Sequence, residues 1–125
     1  MTTYGAMVLE HFRRPRNQRR LEAPTVAREA YNPLCGDRVR VELVVAEDAI
    51  TAAAFTANAC AICTASASLL TERLAGGASV SEALAIADDD VIAALESDLP
   101  EGRRACATLP LNAMRQGLTE LRARG

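Results

Sequence analysis

The sequence predicts an α+β fold, a three-stranded antiparallel sheet with helices packed on one of its faces. Four apolar residues at every second position (Val39, Val41, Leu43 and Val45) alternate with Arg38, Arg40 and Glu42, which is the period of a strand with one buried face. Later segments instead repeat their apolar residues every three or four positions, as amphipathic helices do. The chain has 125 residues, of which 50% are hydrophobic, so we expect a single domain over residues 1–125 with a sizeable core.

The N-terminal segment predicts a helix that Thr3 caps and that runs to about Phe12, before Pro15. His11 lies on its apolar face, far in sequence from any cysteine, so we expect a packing or surface role for it rather than a ligand role. The basic run at residues 13–20 has two interpretations. It either docks an acidic partner or forms a solvated loop whose first arginines complement the helix C-terminus.

Three strands are expected next, and they would pair as an antiparallel meander. They cover Val26 to Tyr31, Val39 to Val45 and Ile50 to Asn58, with a turn at residues 46–49. In the central strand, Arg38, Arg40 and Glu42 would line a face exposed to water.

The remainder of the chain predicts helices, each with a recognisable start or stop. They are a helix from Ile62 to Ala75 ended by Gly76 and Gly77, a short helix opened by the capping box Ser79–Glu82, a helix capped by Asp88 or Asp89, and a last helix that runs to about Arg122. Pro110 leaves the start of the last helix open. The helix either begins at Pro110 with Cys106 just upstream, or holds Pro110 in its opening turn.

Composition excludes several classes of function. The formal net charge of −2 is too close to neutral to predict nucleic-acid or membrane partners. The chain has no lysine, which excludes a lysine Schiff base and a Walker-A phosphate site. No apolar stretch reaches the length of a membrane span, and the first residues lack the layout of a secretory signal. We therefore expect a cytoplasmic protein with reduced thiols.

A corner at residues 32–37 carries the clearest chemistry. Pro33 favours an extended residue before it, and Gly36 permits a sharp turn, so Cys35 and Asp37 flank a flexible corner. Cys60, after a predicted strand, and Cys106, near the last helix, also lie at joints between elements, where a rigid frame presents reactive groups. Three thiolates and one carboxylate form a ligand set that suits zinc or iron–sulfur chemistry.

The fourth cysteine allows a competing interpretation. Cys60 and Cys63 form a C-x-x-C pair at a predicted helix N-terminus after a strand, as redox pairs do. That interpretation leaves Cys35 and Cys106 unexplained. Because helical geometry can turn Cys63 away from Cys60, we expect it to be a small buried hydrophobic residue.

With these motifs assembled, the sequence resembles the IscU/SufU/NifU N-terminal family of iron–sulfur cluster assembly proteins. The resemblance spans nearly the whole chain and lies in residues 9–17, 32–37, 59–68 and 103–109. It implies the α+β fold already predicted.

Two branches of the family differ in chemistry. The IscU-like scaffold branch has a histidine where this chain has Ala105, and a Leu-Pro-Pro-Val-Lys chaperone motif of which residues 99–103 keep only the opening. The SufU-like sulfurtransferase branch has the pattern that residues 103–109 show. That branch usually has a serine at the position of Cys63 and an insertion between the second and third ligand cysteines, which this chain lacks. The ligands thus look SufU-like and the length IscU-like.

The resemblance implies three hypotheses. In the first, Cys35, Asp37, Cys60 and Cys106 bind Zn²⁺, and Cys35 or Cys106 accepts persulfide sulfur from a cysteine desulfurase, helped by Arg103, and passes it to an iron–sulfur scaffold or another acceptor protein. In the second, the same residues carry a transient [2Fe-2S] cluster, with Asp37 as a labile ligand. In the third, a zinc-stabilised adaptor binds the desulfurase without transferring sulfur.

Overall fold

The computed structural model describes residues 4–124, and its strands precede all but one of its helices. The elements are helix α1 (Ala6–Arg13), strands β1 (Val26–Asn32), β2 (Asp37–Ala46) and β3 (Ala49–Asn58), helices α2 (Ala61–Ala75), α3 (Val80–Leu84) and α4 (Asp88–Ala94), a 3₁₀ turn (Glu101–Arg103) and helix α5 (Arg104–Arg124). The strands form an antiparallel sheet in the order β1-β2-β3. The predicted α+β fold is confirmed.

The inner face of the sheet forms the floor of the core. Val41 of β2 lies opposite Phe55 of β3, Leu43 lies opposite Ala53, and all four side chains are buried. Helix α2 packs on β3, while α5 packs on β1 and β2. Both helices therefore cover the same face, and their N-termini meet near the first residue of β2.

A segment before β1 crosses the other face of the sheet. Phe55 of β3 donates its backbone N–H to the carbonyl of Asn17 at 2.9 Å and accepts one from Arg19, also at 2.9 Å. Further along, Leu21 donates its backbone N–H to Glu42 Oε1 at 2.7 Å. We call residues 17–25 the strap, because they run from the edge of β3 across the sheet to the start of β1.

One expectation about the outer face of β2 is wrong. Glu42 was expected to face water, but it is only 1% exposed. Arg40 Nε lies 2.7 Å from Glu42 Oε2, and Arg20 Nε lies 2.9 Å from the same oxygen. Burial opposes the charge of Glu42, but these arginines and the N–H of Leu21 outweigh it and hold the pKa of Glu42 below its ordinary value. A buried carboxylate thus fastens the strap to the sheet.

The predicted starts of α1 and α4 have different outcomes. Thr3 lies outside the described residues, and α1 begins after Gly5 as its N-cap residue. Helix α4 is capped by Ala87 and not by Asp88 or Asp89. The reason is that Asp90 accepts the backbone N–H of Ala87 at 2.9 Å, which satisfies that donor without a polar side chain at the N-cap position. The capping box Ser79–Glu82 is confirmed.

Neither expected start of the last helix is correct. The 3₁₀ turn leads directly into α5 at Arg104, so Cys106 lies inside the first helical turn and Pro110 lies in the second. Pro110 has no N–H to donate to the carbonyl four residues earlier. Ser66 of α2 donates its hydroxyl to the next carbonyl along, that of Ala107, and so ties this part of α5 to α2.

The N-terminal helix is held by polar contacts to α2. His11 is buried, and its Nδ1 shares a 2.7 Å hydrogen bond with Ser68 Oγ, which confirms a packing role. In the basic run that follows, Arg14 and Arg16 each lie 3.0 Å from a carboxylate oxygen of Glu10. Part of the charge of this run is thus neutralised within the chain.

A glycine in α5 permits close packing on β1. A Cβ atom at Gly117 would lie 2.4 Å from Val26 Cγ1, whereas one at Gly102 would meet nothing within 4 Å. We expect Gly117→Ala to lower the free energy of unfolding, because overpacking costs about 1–3 kcal/mol while alanine returns about 1 kcal/mol of helix propensity. Gly102→Ala is the matched control and should be close to neutral. Urea denaturation of both variants tests this, and equal stabilities would contradict it.

The carboxylate of Glu42 should make stability depend on acid pH. Its folded pKa lies below the ordinary value of 4.5, so its contribution is complete above that value and is lost as the pH falls through the folded pKa. We expect Glu42→Gln to be less stable than the wild type at pH 7, by an amount that shrinks below about pH 4.3. Urea denaturation at pH 7 and below about pH 4.3 measures this difference in stability. A difference that stays constant with pH would assign Glu42 only a packing role.

Candidate metal centre

The loop between β1 and β2 presents one thiol to solvent. The backbone N–H of Gly36 donates to the carbonyl of Asn32 at 2.8 Å, and that of Leu34 donates to Asn32 Oδ1 at 3.0 Å. Gly36 has φ of +77°, a left-handed conformation that favours glycine. This tight turn leaves Cys35 exposed and places Asp37 at the buried first position of β2.

The other two predicted ligands come from helix N-termini. Cys60 is the N-cap residue of α2 and is half-buried. Cys106 is fully buried in the first turn of α5. The sequence therefore located all three thiols correctly at the ends of elements.

The structure brings these segments together at one point. Cys35 Sγ and Cys106 Sγ lie 3.6 Å apart, and both lie within 4.8 Å of a carboxylate oxygen of Asp37. Cys60 approaches through its backbone N–H, which donates to Asp37 Oδ1 at 3.1 Å. Its thiol lies outside the group of Cys35, Asp37 and Cys106. The predicted set is thus assembled as three close side chains with the fourth at its edge.

The donor atoms fit a tetrahedral thiolate-bound metal. Asp37 Oδ2 is buried and has no hydrogen-bond partner among the described residues. A buried oxygen without a partner is costly unless another group binds it. Two sulfurs that each lie about 2.3 Å from one zinc at a tetrahedral angle are ~3.8 Å apart. The 3.6 Å between Cys35 Sγ and Cys106 Sγ is close to that separation.

The electrostatics of the site separate the carboxylate from the buried thiol. Burial alone would raise the pKa of Asp37, but Cys106, Cys60 and the N–H of Cys60 favour its charged form and lower the pKa overall. Burial, followed by the nearby carboxylate of Asp37, raises the pKa of Cys106. Without a metal, Asp37 is therefore charged and Cys106 is a neutral thiol, so metal binding must release its proton.

Cys63 lies below this group and belongs to the core. It is fully buried, and burial is the largest cause that raises its pKa, followed by the charge of Asp37. The expectation that it is a small buried residue is confirmed.

Two further features complete the site. Arg103 lies beside Cys106, and its interaction with that sulfur raises the pKa of Arg103. The side chain of Ala105 is exposed between them in sequence. Sequence reasoning missed the backbone N–H of Cys60 as a partner of Asp37, although a helix that starts directly after a strand offers such unpaired donors.

Fold and site together define a small α+β module that gathers thiols and a carboxylate between helix N-termini. The family model described as the NifU-like N-terminal domain matches residues 3–125. The chain therefore belongs to the NifU-like N-terminal domain family of iron–sulfur cluster assembly proteins, and the resemblance in its sequence is confirmed.

Relatives carry names from several branches of this family. The chain is 38% identical over 118 residues to the bifunctional protein NifU/MnmA of Rubrobacter xylanophilus, covering 94% of this chain but 24% of that protein. It is 32% identical to the iron–sulfur cluster assembly scaffold protein IscU 1 of Archaeoglobus fulgidus, covering 94% and 75%. It is 31% identical to the zinc-dependent sulfurtransferase SufU of Bacillus subtilis, covering 95% and 91%.

Solved structures confirm the fold. A NifU-like N-terminal protein from Brucella abortus superposes with a TM-score of 0.79, covering 97% of this chain and 95% of that chain at 22% identity.

Among the described residues, no helix has the length and apolar character needed to span a bilayer.

The unpaired oxygen of Asp37 leads to a test. We expect Asp37→Asn to weaken zinc binding by more than about 10–100-fold, the cost of losing even an outer partner of a metal ligand. Metal-free protein should keep its stability, because the asparagine carbonyl can still accept the N–H of Cys60 and no unpaired buried charge remains. Competition against a chromophoric chelator gives the affinity, and thermal melting gives the stability. Asp89→Asn, at an exposed carboxylate, is the control; equal zinc affinity in both variants would remove Asp37 from the ligand set.

Proposed function

We propose that the protein is a zinc-dependent sulfur acceptor that takes persulfide sulfur from a cysteine desulfurase in iron–sulfur cluster assembly. The observation that carries this proposal is the pairing of one exposed thiol, Cys35, with a buried thiol 3.6 Å away and an unpaired carboxylate oxygen. Such a site can hold a metal and still present a nucleophile to a docked protein.

The residues that would hold the metal are Cys35, Asp37, Cys60 and Cys106. When bound, zinc keeps thiols in the thiolate form and ties together the segments that supply them. The chain contributes the turn at Gly36, which leaves Cys35 exposed to an approaching protein.

The transfer step can be written for Cys35. Its thiolate sulfur attacks the terminal sulfur of the desulfurase persulfide, and a new S–S bond forms on Cys35. The S–S bond of the desulfurase breaks, and its cysteine leaves as a thiolate. The step is a thiol exchange with no net oxidation, and it requires an accessible attacking thiolate. Cys35 is accessible, whereas Cys106 is fully buried, which favours Cys35 over Cys106 as first acceptor.

Arg103 would assist by its charge. Its guanidinium lies beside the sulfur of Cys106, where it can stabilise an anionic sulfur during transfer. The persulfide would then pass to an assembly scaffold or another acceptor protein.

Two features support the sulfur-acceptor role over a scaffold role. The position of the scaffold-branch histidine is the exposed Ala105, which offers no ligand atom. In addition, residues 103–109 show the pattern of the sulfurtransferase branch. The second candidate, a scaffold for a transient [2Fe-2S] cluster with Asp37 as a labile ligand, is supported by the same donor set and by the scaffold names of other relatives.

Metal content and the visible spectrum separate the two functions. Protein purified without oxygen should contain one tightly held zinc per chain and stay colourless after cysteine, a desulfurase and ferrous iron are added. A brown protein with iron and acid-labile sulfide would support the scaffold function instead. A protein that binds the desulfurase but takes no radiolabelled sulfur from cysteine would be an adaptor.

Substitutions at the site test the roles of individual residues. We expect Cys35→Ala to abolish transfer of radiolabelled sulfur to this chain, because the accessible attacking thiol is gone.

Arg103→Ala should slow transfer by about tenfold or more, as expected for a lost charge-assisted hydrogen bond. Arg104→Ala is the matched control, since Arg104 points to the exposed Asp89 at 3.7 Å. Full transfer by the Cys35 variant would assign the acceptor role to another cysteine.

A further inference from the structure

The pair Cys60 and Cys63 has no joint role in the metal centre. The thiol of Cys60 lies outside the group formed by Cys35, Asp37 and Cys106. Cys63 is fully buried and is not needed as a ligand. The C-x-x-C arrangement of these cysteines at a helix start therefore requires its own explanation.

Cys60 and Cys63 both lie at the start of α2. Cys60 is the N-cap residue, with extended φ and ψ of −69° and 170°, and Cys63 occupies the third helical position, N3. In a capping box, the side chain at each of these positions bonds the backbone N–H of the other residue, which keeps both side chains within the first turn. The same chain shows this in α3, where Ser79 Oγ accepts the backbone N–H of Glu82 at 3.0 Å and Glu82 Oε1 accepts that of Ser79 at 2.9 Å.

The geometry also suits a covalent bond. Residues three positions apart on a helix are neighbours with Cβ atoms about 5–6 Å apart. A disulfide needs a somewhat shorter Cβ separation, typically about 3.5–4.5 Å. Both backbone groups of Cys60 are bound, its N–H to Asp37 Oδ1 at 3.1 Å and its carbonyl to the Thr64 N–H at 3.0 Å, so the first turn of α2 has to tighten for the disulfide to form.

We propose that Cys60 and Cys63 are a thiol–disulfide couple that hydrogen peroxide oxidises, with Cys60 as the attacking thiol and Cys63 as the resolving thiol. The sulfur of Cys60 attacks one peroxide oxygen, the O–O bond breaks, and a sulfenic acid and water result. The sulfur of Cys63 then attacks the sulfur of Cys60, the S–O bond breaks, and the hydroxide leaves as water with the proton of Cys63. Two thiols are oxidised, and the peroxide is reduced to two waters.

The burial of the two thiols fits these roles. Cys60 is half-buried, so a small oxidant reaches it from solvent, while Cys63 lies behind it in the core and is shielded from direct attack. If the proposed zinc site is correct, the disulfide removes one of its four ligands and releases the metal. Sulfur acceptance then stops until a dithiol reduces the bond.

The sequence makes the product easy to identify. Trypsin cuts only after arginine here, because the chain has no lysine. Cys60 and Cys63 then share the peptide of residues 41–73, whereas Cys35 lies in residues 29–38 and Cys106 in residues 105–115. A Cys60–Cys63 disulfide makes one peptide lighter by two hydrogen atoms, while a Cys35–Cys106 disulfide joins two peptides.

The experiment treats metal-free and zinc-loaded protein with hydrogen peroxide, blocks free thiols with an alkylating agent and maps the tryptic peptides by mass spectrometry. The expected result is an internal disulfide in residues 41–73 that dithiothreitol reverses. A chromophoric chelator should detect zinc release from the loaded protein as this disulfide forms. Cys63→Ser should lose the disulfide and accumulate further oxidised Cys60 that dithiothreitol does not reduce, so that zinc binding is restored after reduction only in the wild type. Cys63→Ala serves if the serine variant does not fold.

Two results would overturn the proposal. One is oxidation that joins residues 29–38 to residues 105–115 while residues 41–73 stay unlinked. The other is full recovery of zinc binding by oxidised Cys63→Ser after treatment with dithiothreitol. A chain that binds no zinc but still forms the internal disulfide would reject the proposed function and support the couple, so the two failures are distinguishable.

Discussion

A single hydrogen bond, from the backbone N–H of Cys60 to Asp37 Oδ1, fixes the relation between the sheet and the first long helix. It joins the first residue of β2 to the N-cap of α2, so it sets where the helix begins and which way the carboxylate faces. The other carboxylate oxygen is then left among the thiols. A buried carboxylate oxygen without a partner costs free energy, and a metal bound to this oxygen would remove that cost.

The site therefore depends on where elements start and very little on their interiors. The loop before β2, the N-cap of α2 and the first turn of α5 supply its groups, and the packing of both helices on one face brings them together. The buried interiors hold Asp37 and Cys106 in place, whereas the turn at Gly36 presents Cys35 to solvent. The site thus combines a buried carboxylate and a buried thiol with one exposed thiol.

The sequence predicted the strands, the hairpin corner and the positions of the thiols because those features depend on local patterns. The period of two in β2 identified its buried face, and Pro33 with Gly36 identified the turn. What failed depended on tertiary contacts. Nothing local indicates that the strap covers Glu42, that Asp90 makes a polar cap at Ala87 unnecessary, or that α5 begins as early as Arg104. The orphaned oxygen of Asp37 likewise appears only when the segments meet.

The strap also changes what the edge of the sheet can do. At Phe55, both the backbone N–H and the carbonyl of β3 are already paired with the strap, and Gln18 forms a parallel bridge there. An open strand edge is a template on which another chain can add a strand and begin to aggregate. Here an incoming strand would first have to displace residues 17–19, with the loss of two backbone hydrogen bonds. The strap therefore protects this part of the β3 edge from strand addition.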